Sequence, residues 1–197
     1  MALELLNFLN TWEQRKLGDL AVIIGGGTPD TNNPAFWNGN INWFSPSEIT
    51  GKNYVHSSNR KISTEGLKNS SAKLLPANKT ILFSSRATIG EMSIITEPSA
   101  TNQGFQSFVV KEGVDLYFLF SSQTQIKRYA LRNASGSTFL EVSKSNLEKM
   151  PLVVPSFTEQ SKIGTFFQTL DTTITLHQRK LEKMQLLKKA LLQQMFV

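Results

Sequence analysis

After Pro155 the chain has no further proline and a single glycine, Gly164, before it ends at Val197. No other feature constrains the fold as strongly, because proline and glycine are the main breakers of a helix. Ser156-Phe-Thr-Glu159 opens the run with a capping box, serine at the N-cap and glutamate three residues on. Beyond it, positions recur in alternating steps of four and three: Ile163, Phe167, Leu170, Ile174, His177, Leu181, Met184, Lys188, Leu191 and Met195. All but His177 and Lys188 are apolar. A period averaging 3.5 sustained this long is a coiled-coil seam. At 1.5 Å per residue the helix would be roughly 55 Å long. The alternative is an amphipathic helix packed on its own domain, but such a length overruns a domain built from residues 1–155. The polar His177 and Lys188 read as devices that fix register.

Residues 1–155 carry a different pattern. Short β-branched and aromatic runs alternate with Gly, Pro, Asn and Ser, the punctuation of strands and turns. Strands are expected at Leu20–Ile24, Ile41–Ser45, Thr80–Ser84, Met92–Ile95, Phe105–Val110 and Leu152–Val154. Asp115–Arg132 has helical spacing, with Leu116, Leu119, Phe120, Ile126, Ala130 and Leu131 on one face. Ser145-Asn-Leu-Glu148 reads as a second capping box. The expected fold class is α+β: a mixed α/β domain over 1–155, then a long coiled-coil helix over 156–197.

Composition narrows the chemistry. Among 197 residues there is no cysteine and there are two histidines, His56 and His177. Thiolate catalysis, disulfides and Cys-ligated zinc are excluded, and histidine-rich metal sites are implausible. No run of about 18 apolar residues occurs, and the start of the chain lacks a basic segment ahead of an apolar one. A soluble, cytoplasmic protein without membrane contact is expected. The net charge of +6 divides evenly between residues 1–158 and 159–197, permitting a polyanionic partner without requiring one.

The motifs of catalysis fail on inspection. Gly25-Gly-Gly-Thr-Pro29 follows an apolar strand, but it lacks the Lys-Ser/Thr of a phosphate loop, and Pro29 cannot supply the amide pattern of a dinucleotide fingerprint. The glycines read instead as a turn with positive φ, or as a place where the backbone approaches a ligand closely. Asn33-Pro-Ala-Phe36 falls one proline short of the loop with which adenine methyltransferases hold a flipped base. Pro29-Asp30 has no acidic-x-Lys partner. Acidic residues are scattered, so no metal cluster and no catalytic residue is expected. What remains suits DNA reading. Ser84-Ser-Arg86 offers an arginine able to bridge guanine O6 and N7 among small hydroxyls. Asn102-Gln103 has the amides that pair with adenine N6 and N7. Ser137-Thr138 and Lys144 add hydroxyls and a cation. Ser84, Asn102 and Ser137 are equally ordinary turn and cap formers.

An ordered set of motifs resembles the DNA-specificity subunits of Type I restriction–modification systems, the HsdS family. The set comprises Trp12-Glu-Gln-Arg-Lys-Leu-Gly-Asp19, Gly25–Pro29, Trp37-Asn-Gly-Asn-Ile-Asn-Trp43, Ile62–Leu67, Ser71-Ala-Lys73, Ser84–Gly90, Asn102–Phe105, Gly136–Phe139 and Pro155–Gln160. The closing Lys188–Val197 also fits. The resemblance implies a non-catalytic target recognition domain followed by a helical spacer. It implies double-stranded DNA, methyltransferase subunits and restriction subunits as partners. It implies no cofactor in this chain, with S-adenosylmethionine, ATP and Mg used by those partners. Family members carry two recognition domains and two helices; this sequence carries one of each. A homodimer through Ile163, Phe167, Leu170, Ile174, Leu181, Met184 and Leu191 is therefore expected, reading an interrupted inverted repeat. The candidate DNA-contacting residues are Ser84, Ser85, Arg86, Asn102, Gln103, Ser137, Thr138 and Lys144. The competing reading is a truncated subunit that occupies methyltransferase subunits without productive DNA reading.

Overall fold

A computed structural model describes residues 12–136 and 140–196. Its central element is a five-stranded sheet in the order β2–β9–β6–β7–β4. The strands are β2 (Ala21–Gly25), β4 (Tyr54–Val55), β6 (Thr80–Phe83), β7 (Met92–Ile95) and β9 (Gln106–Val110). All neighbours are antiparallel except β4 and β7. Both faces are covered, so successive side chains serve two cores. Ile23, Ile81, Phe83, Met92, Ile94, Phe108 and Val110 point into the larger one. Leu82, Ile95 and Phe105 join Phe44, Ile49, Val55 and Leu75 in the smaller one.

Helices cover the larger core. These are α1 (Leu17–Leu20), α3 (Leu116–Ser121), α4 (Gln123–Asn133) and α5 (Lys144–Glu148). The helical spacing over 115–132 resolves into α3 and α4, with a break at Ser122, whose N–H bonds the Leu119 carbonyl. Asp115 caps α3 by accepting from the Phe118 N–H at 2.8 Å. The cap of α5 is Ser143, which accepts from the Asn146 N–H at 3.2 Å; the expected box at Ser145 is corrected by two residues, because Lys144 already lies in the helix.

A three-stranded sheet, β5–β3–β8, sits on the other side. It joins β3 (Trp37–Phe44), β5 (Arg60–Ile62) and β8 (Ser99–Thr101), and α2 (Thr64–Lys68) lies beside it. Trp37 and Trp43 meet edge to face at 5.2 Å, over Ile62, Ala72 and Ala100. Finally, β1 (Glu13–Lys16) pairs with β10 (Pro151–Val154), placing the start of the domain beside its end.

From β10 the chain enters α6 (Phe157–Met195), a single helix of 39 residues. Ser156 caps it by accepting from the Glu159 N–H at 3.4 Å. The Glu159 carboxylate does not close the expected box and accepts instead from the Trp12 indole at 3.2 Å. The first turns of α6 lie against α3, and the buried Gly164 permits this approach, since a Cβ there would strike the Asp115 carboxylate and the Phe118 amide. Past Asp171 every described residue is exposed.

Candidate nucleic-acid interface

The loops singled out in the sequence converge at one edge of the domain. The β6–β7 loop is closed by Ser84, whose amide donates to the Glu91 carbonyl at 3.0 Å. Its neighbour Ser85 donates from its amide to the Gly104 carbonyl at 2.8 Å, and its carbonyl accepts from Val142 at 3.2 Å. Residues 84–90, 101–104 and 141–142 are thereby tied together by backbone. Gly25–Gly27 joins the same rim: the Gly27 N–H donates to the Thr101 carbonyl at 2.8 Å. Side chains at Gly26 and Gly27 would collide with Thr101–Asn102 and Ser71–Ala72 respectively. The glycine run is thus a place where protein backbone approaches protein backbone, and none of its three glycines takes the positive φ that a left-handed turn would need.

Within the rim the side chains divide. Ser84 and Ser85 are both fully buried. The Ser84 hydroxyl bonds the Thr88 carbonyl and accepts from the Glu91 amide at 3.1 Å. These two serines build the loop from beneath, and the expectation that they line a contact face is corrected on that ground. Arg86 is exposed at the tip, where the left-handed Ala87 (φ 57°) turns the chain. Its Nε lies 2.8 Å from Glu141 Oε2, so the pair engages one edge of the guanidinium and leaves the terminal nitrogens as a fork. Asn102 is half-buried, and its Oδ1 accepts from the Gly104 N–H at 2.9 Å, an Asx turn. Gln103 is exposed and accepts from the Thr28 hydroxyl. Lys144 is exposed, 3.7 Å from Glu148, on the first turn of α5. Ser137 and Thr138 lie outside the described residues.

Sequence reasoning missed several members of this region. Thr28 comes to Gln103 through the Gly25–Gly27 approach, for which the glycine run was the only signal. The Trp43 indole donates to the Gly27 carbonyl at 2.9 Å and the Trp37 indole to the Asp30 carbonyl at 3.1 Å. Both tryptophans thus hold the loop that carries Thr28. The Arg60 guanidinium stacks over Trp37 with its carbon 3.6 Å from the ring centroid, a cation–π arrangement at an exposed position. Among the described residues no group of three or more His, Asp or Glu is placed to hold a metal ion. No described helix is long and apolar enough to cross a membrane.

Comparison with known proteins decides the family. The sequence family described as the Type I restriction modification DNA specificity domain matches residues 10–186. The chain belongs to the Type I DNA-specificity family. It is similar to the MjaIX specificity subunit of Methanocaldococcus jannaschii, 36% identical over 168 residues, covering 83% of this chain and 38% of that protein. Its fold resembles a chain from a structural study of complex assembly and conformational transition of the type I R-M system, with a TM-score of 0.68 at 16% identity over 86% of this chain and 40% of the other. It also resembles the HsdS subunit from Thermoanaerobacter tengcongensis, with a TM-score of 0.65 at 14% identity over 86% of this chain and 39% of the other. At these identities the structural likeness speaks for the fold alone. The chain spans about two fifths of the length of these relatives. The mixed α/β domain with a long C-terminal helix, expected from the strand punctuation and the unbroken helical period, is the fold found.

The helix seam divides as well. Ile163 packs against the larger core of its own domain, and Phe167 lines a groove with Trp12, Phe118 and Val153. Ile163 is therefore corrected from seam to domain contact, because the first turns of α6 are docked. From Leu170 onward the seam is open: Leu170, Ile174, Leu181, Met184 and Leu191 are each between 43% and 52% exposed.

Proposed function

We propose that this chain is a non-catalytic DNA-recognition unit of a Type I restriction–modification system. The observation that carries the reading is the convergence of residues 26–28, 84–90 and 101–104 on one rim, with Arg86 and Gln103 at its surface. The Arg86 fork has the geometry to take guanine O6 and N7 together, and Glu141 holds it in place. Gln103 offers its amide to adenine or to phosphate, and Asn102 shapes the turn beneath it. Arg60 and Lys144 supply cations for the phosphate backbone. Ser137 and Thr138 remain proposed contacts on sequence grounds.

The open seam from Leu170 to Leu191 pairs with the same seam of a second copy. A two-fold dimer places two identical rims along one duplex and reads an inverted repeat with unspecified bases between. Methyltransferase subunits dock on this assembly and restriction subunits join through them, in the cytoplasm. S-adenosylmethionine, ATP and Mg belong to those partners.

The test is a DNA-binding and methylation assay with the cognate methyltransferase. Arg86→Ala should weaken binding by about 1–3 kcal/mol and relax one base position of the methylated motif. Gln103→Ala should relax another position. If both variants bind and methylate like the parent, the rim is not the reading surface. Co-purification with methyltransferase, with no methylated motif, would favour an inert assembly role.

A further inference from the structure

The domain grips α6 through the apolar contact of Ile163 with its core and through a stripe of polar side chains. Gln160 accepts from the Asp115 amide at 3.1 Å and donates to the Pro155 carbonyl at 2.9 Å. A turn later Gly164 sits against Asp115 and Phe118. Gln168 donates to the Tyr54 hydroxyl at 2.6 Å. Asp171 closes the stripe: its Oδ2 accepts from the Tyr117 hydroxyl at 2.7 Å and from the Asn53 amide at 3.1 Å. Tyr117 is buried and belongs to the larger core, so its hydroxyl is a fixed point. Beyond Asp171 the domain touches nothing that buries a residue of the helix.

The helix is not self-stiffened at this point. Residues 165–175 include Thr165, Thr169, Thr172, Thr173 and Thr175. The last four donate their hydroxyls to the carbonyl four residues back. Threonine is a weak helix former, and such back-bonding bends helices. The direction of α6 at its exit is therefore set from outside. Apolar contacts tolerate sliding, whereas two hydrogen bonds converging on one carboxylate oxygen impose both distance and angle.

The lever beyond is long. From Asp171 to Met195 the helix extends about 36 Å at 1.5 Å per residue. A swing of about 10° at the latch would move its far end about 6 Å, close to two base-pair steps of about 3.4 Å. We propose that Asp171 is a positioning residue: held by Tyr117 and Asn53, it fixes the angle between recognition domain and helix, and thereby the number of unspecified base pairs between half-sites. The inference rests on the split-target reading above.

The chain has no cysteine, so spin labels can be placed on Glu112→Cys and Gln194→Cys of the full chain, both exposed, and diluted with unlabelled protein to isolate within-chain distances. The parent should give one narrow distance distribution. Asp171→Ala should broaden it at least twofold. Asp171→Asn, whose amide oxygen still accepts both bonds, should stay near the parent. Should Asp171→Ala fail to fold, Tyr117→Phe removes the shorter bond and keeps the ring in the core. In methylation mapping, Asp171→Ala should add sites with spacers one base pair longer or shorter. A parent-like distance distribution in both Asp171→Ala and Tyr117→Phe overturns the latch, and broadened distances with an unchanged single spacer overturn its role in spacing. A parent that methylates no split motif would instead refute the split-target reading, and the distance measurement would still judge the latch.

Discussion

Tyr117 ties together packing, charge and the path of the helix. Burial first, and then its hydrogen bond to the Asp171 carboxylate, hold its phenol well above the ordinary tyrosine value. Tyr54 is shifted the same way, by burial ahead of the nearby Asp171 charge, although its bond with Gln168 opposes the shift. The sign of the pH dependence follows. The folded state keeps protons that the unfolded chain releases above about pH 10, so stability is full below that value and falls as pH rises beyond it. Chemical denaturation at pH 8 and pH 10.5 should show this loss in the parent and a smaller loss in Tyr117→Phe. Equal losses in both would mean that Tyr117 titrates as an ordinary surface tyrosine. Arg86 illustrates a different division of labour. Its backbone is positioned by buried Ser84 and Ser85, while its side chain is aimed by Glu141. Glu141→Gln, keeping the shape and removing the charge, should weaken DNA binding less than Arg86→Ala does. A loss as large as that of Arg86→Ala would show that Glu141 does more than aim the guanidinium.

At the scale of elements, the long helix has two sections. Its first turns are docked, with Ile163 committed to the domain core, and its remainder is an open seam. Leu170→Lys with Ile174→Lys should convert a dimer to a monomer in light scattering at micromolar concentration, with the circular dichroism of the domain retained. A dimer that survives both changes would place the contact elsewhere. The helix was legible in the sequence because proline and glycine vanish and the seven-residue period persists. Strands β2, β6, β7, β9 and β10 were legible because each is an apolar run bounded by turn residues. The strands that escaped notice lack that signature. Glu13-Gln-Arg-Lys16 is wholly exposed and becomes a strand only by pairing with β10. Arg60-Lys-Ile62 contributes one buried side chain, and Ser99-Ala-Thr101 is buried but small. Pairing partners distant in sequence made these strands, so local pattern could not announce them. The rim was half legible for a related reason. Loop chemistry identified Arg86, Asn102 and Gln103, but burial of Ser84 and Ser85 is a property of the assembled fold. Nothing local links Thr28 to Gln103, or Asp171 to Tyr117 and Asn53.

For the whole molecule, the geometry couples three parts: a rim of converging loops, a domain core that holds it, and a helix fixed to that core. The core is ordinary in its physics. Phe83 and Phe108 stack at 5.0 Å in the central strands, and Phe108→Ala should cost about 3–5 kcal/mol in urea unfolding, a large share of the stability of a domain this size. A loss below about 1 kcal/mol would mean that the site relaxes to fill the cavity. The even spread of positive charge over domain and helix fits the proposal that methyltransferase partners would supply part of the hold on DNA. Two copies joined through α6 would set two identical rims at a fixed separation. Co-expression with the cognate methyltransferase, followed by mapping of every methylated adenine, tests this most directly. The account predicts a symmetrical motif, two inverted half-sites around one fixed number of unspecified bases. An asymmetrical motif, or a continuous one, would contradict it.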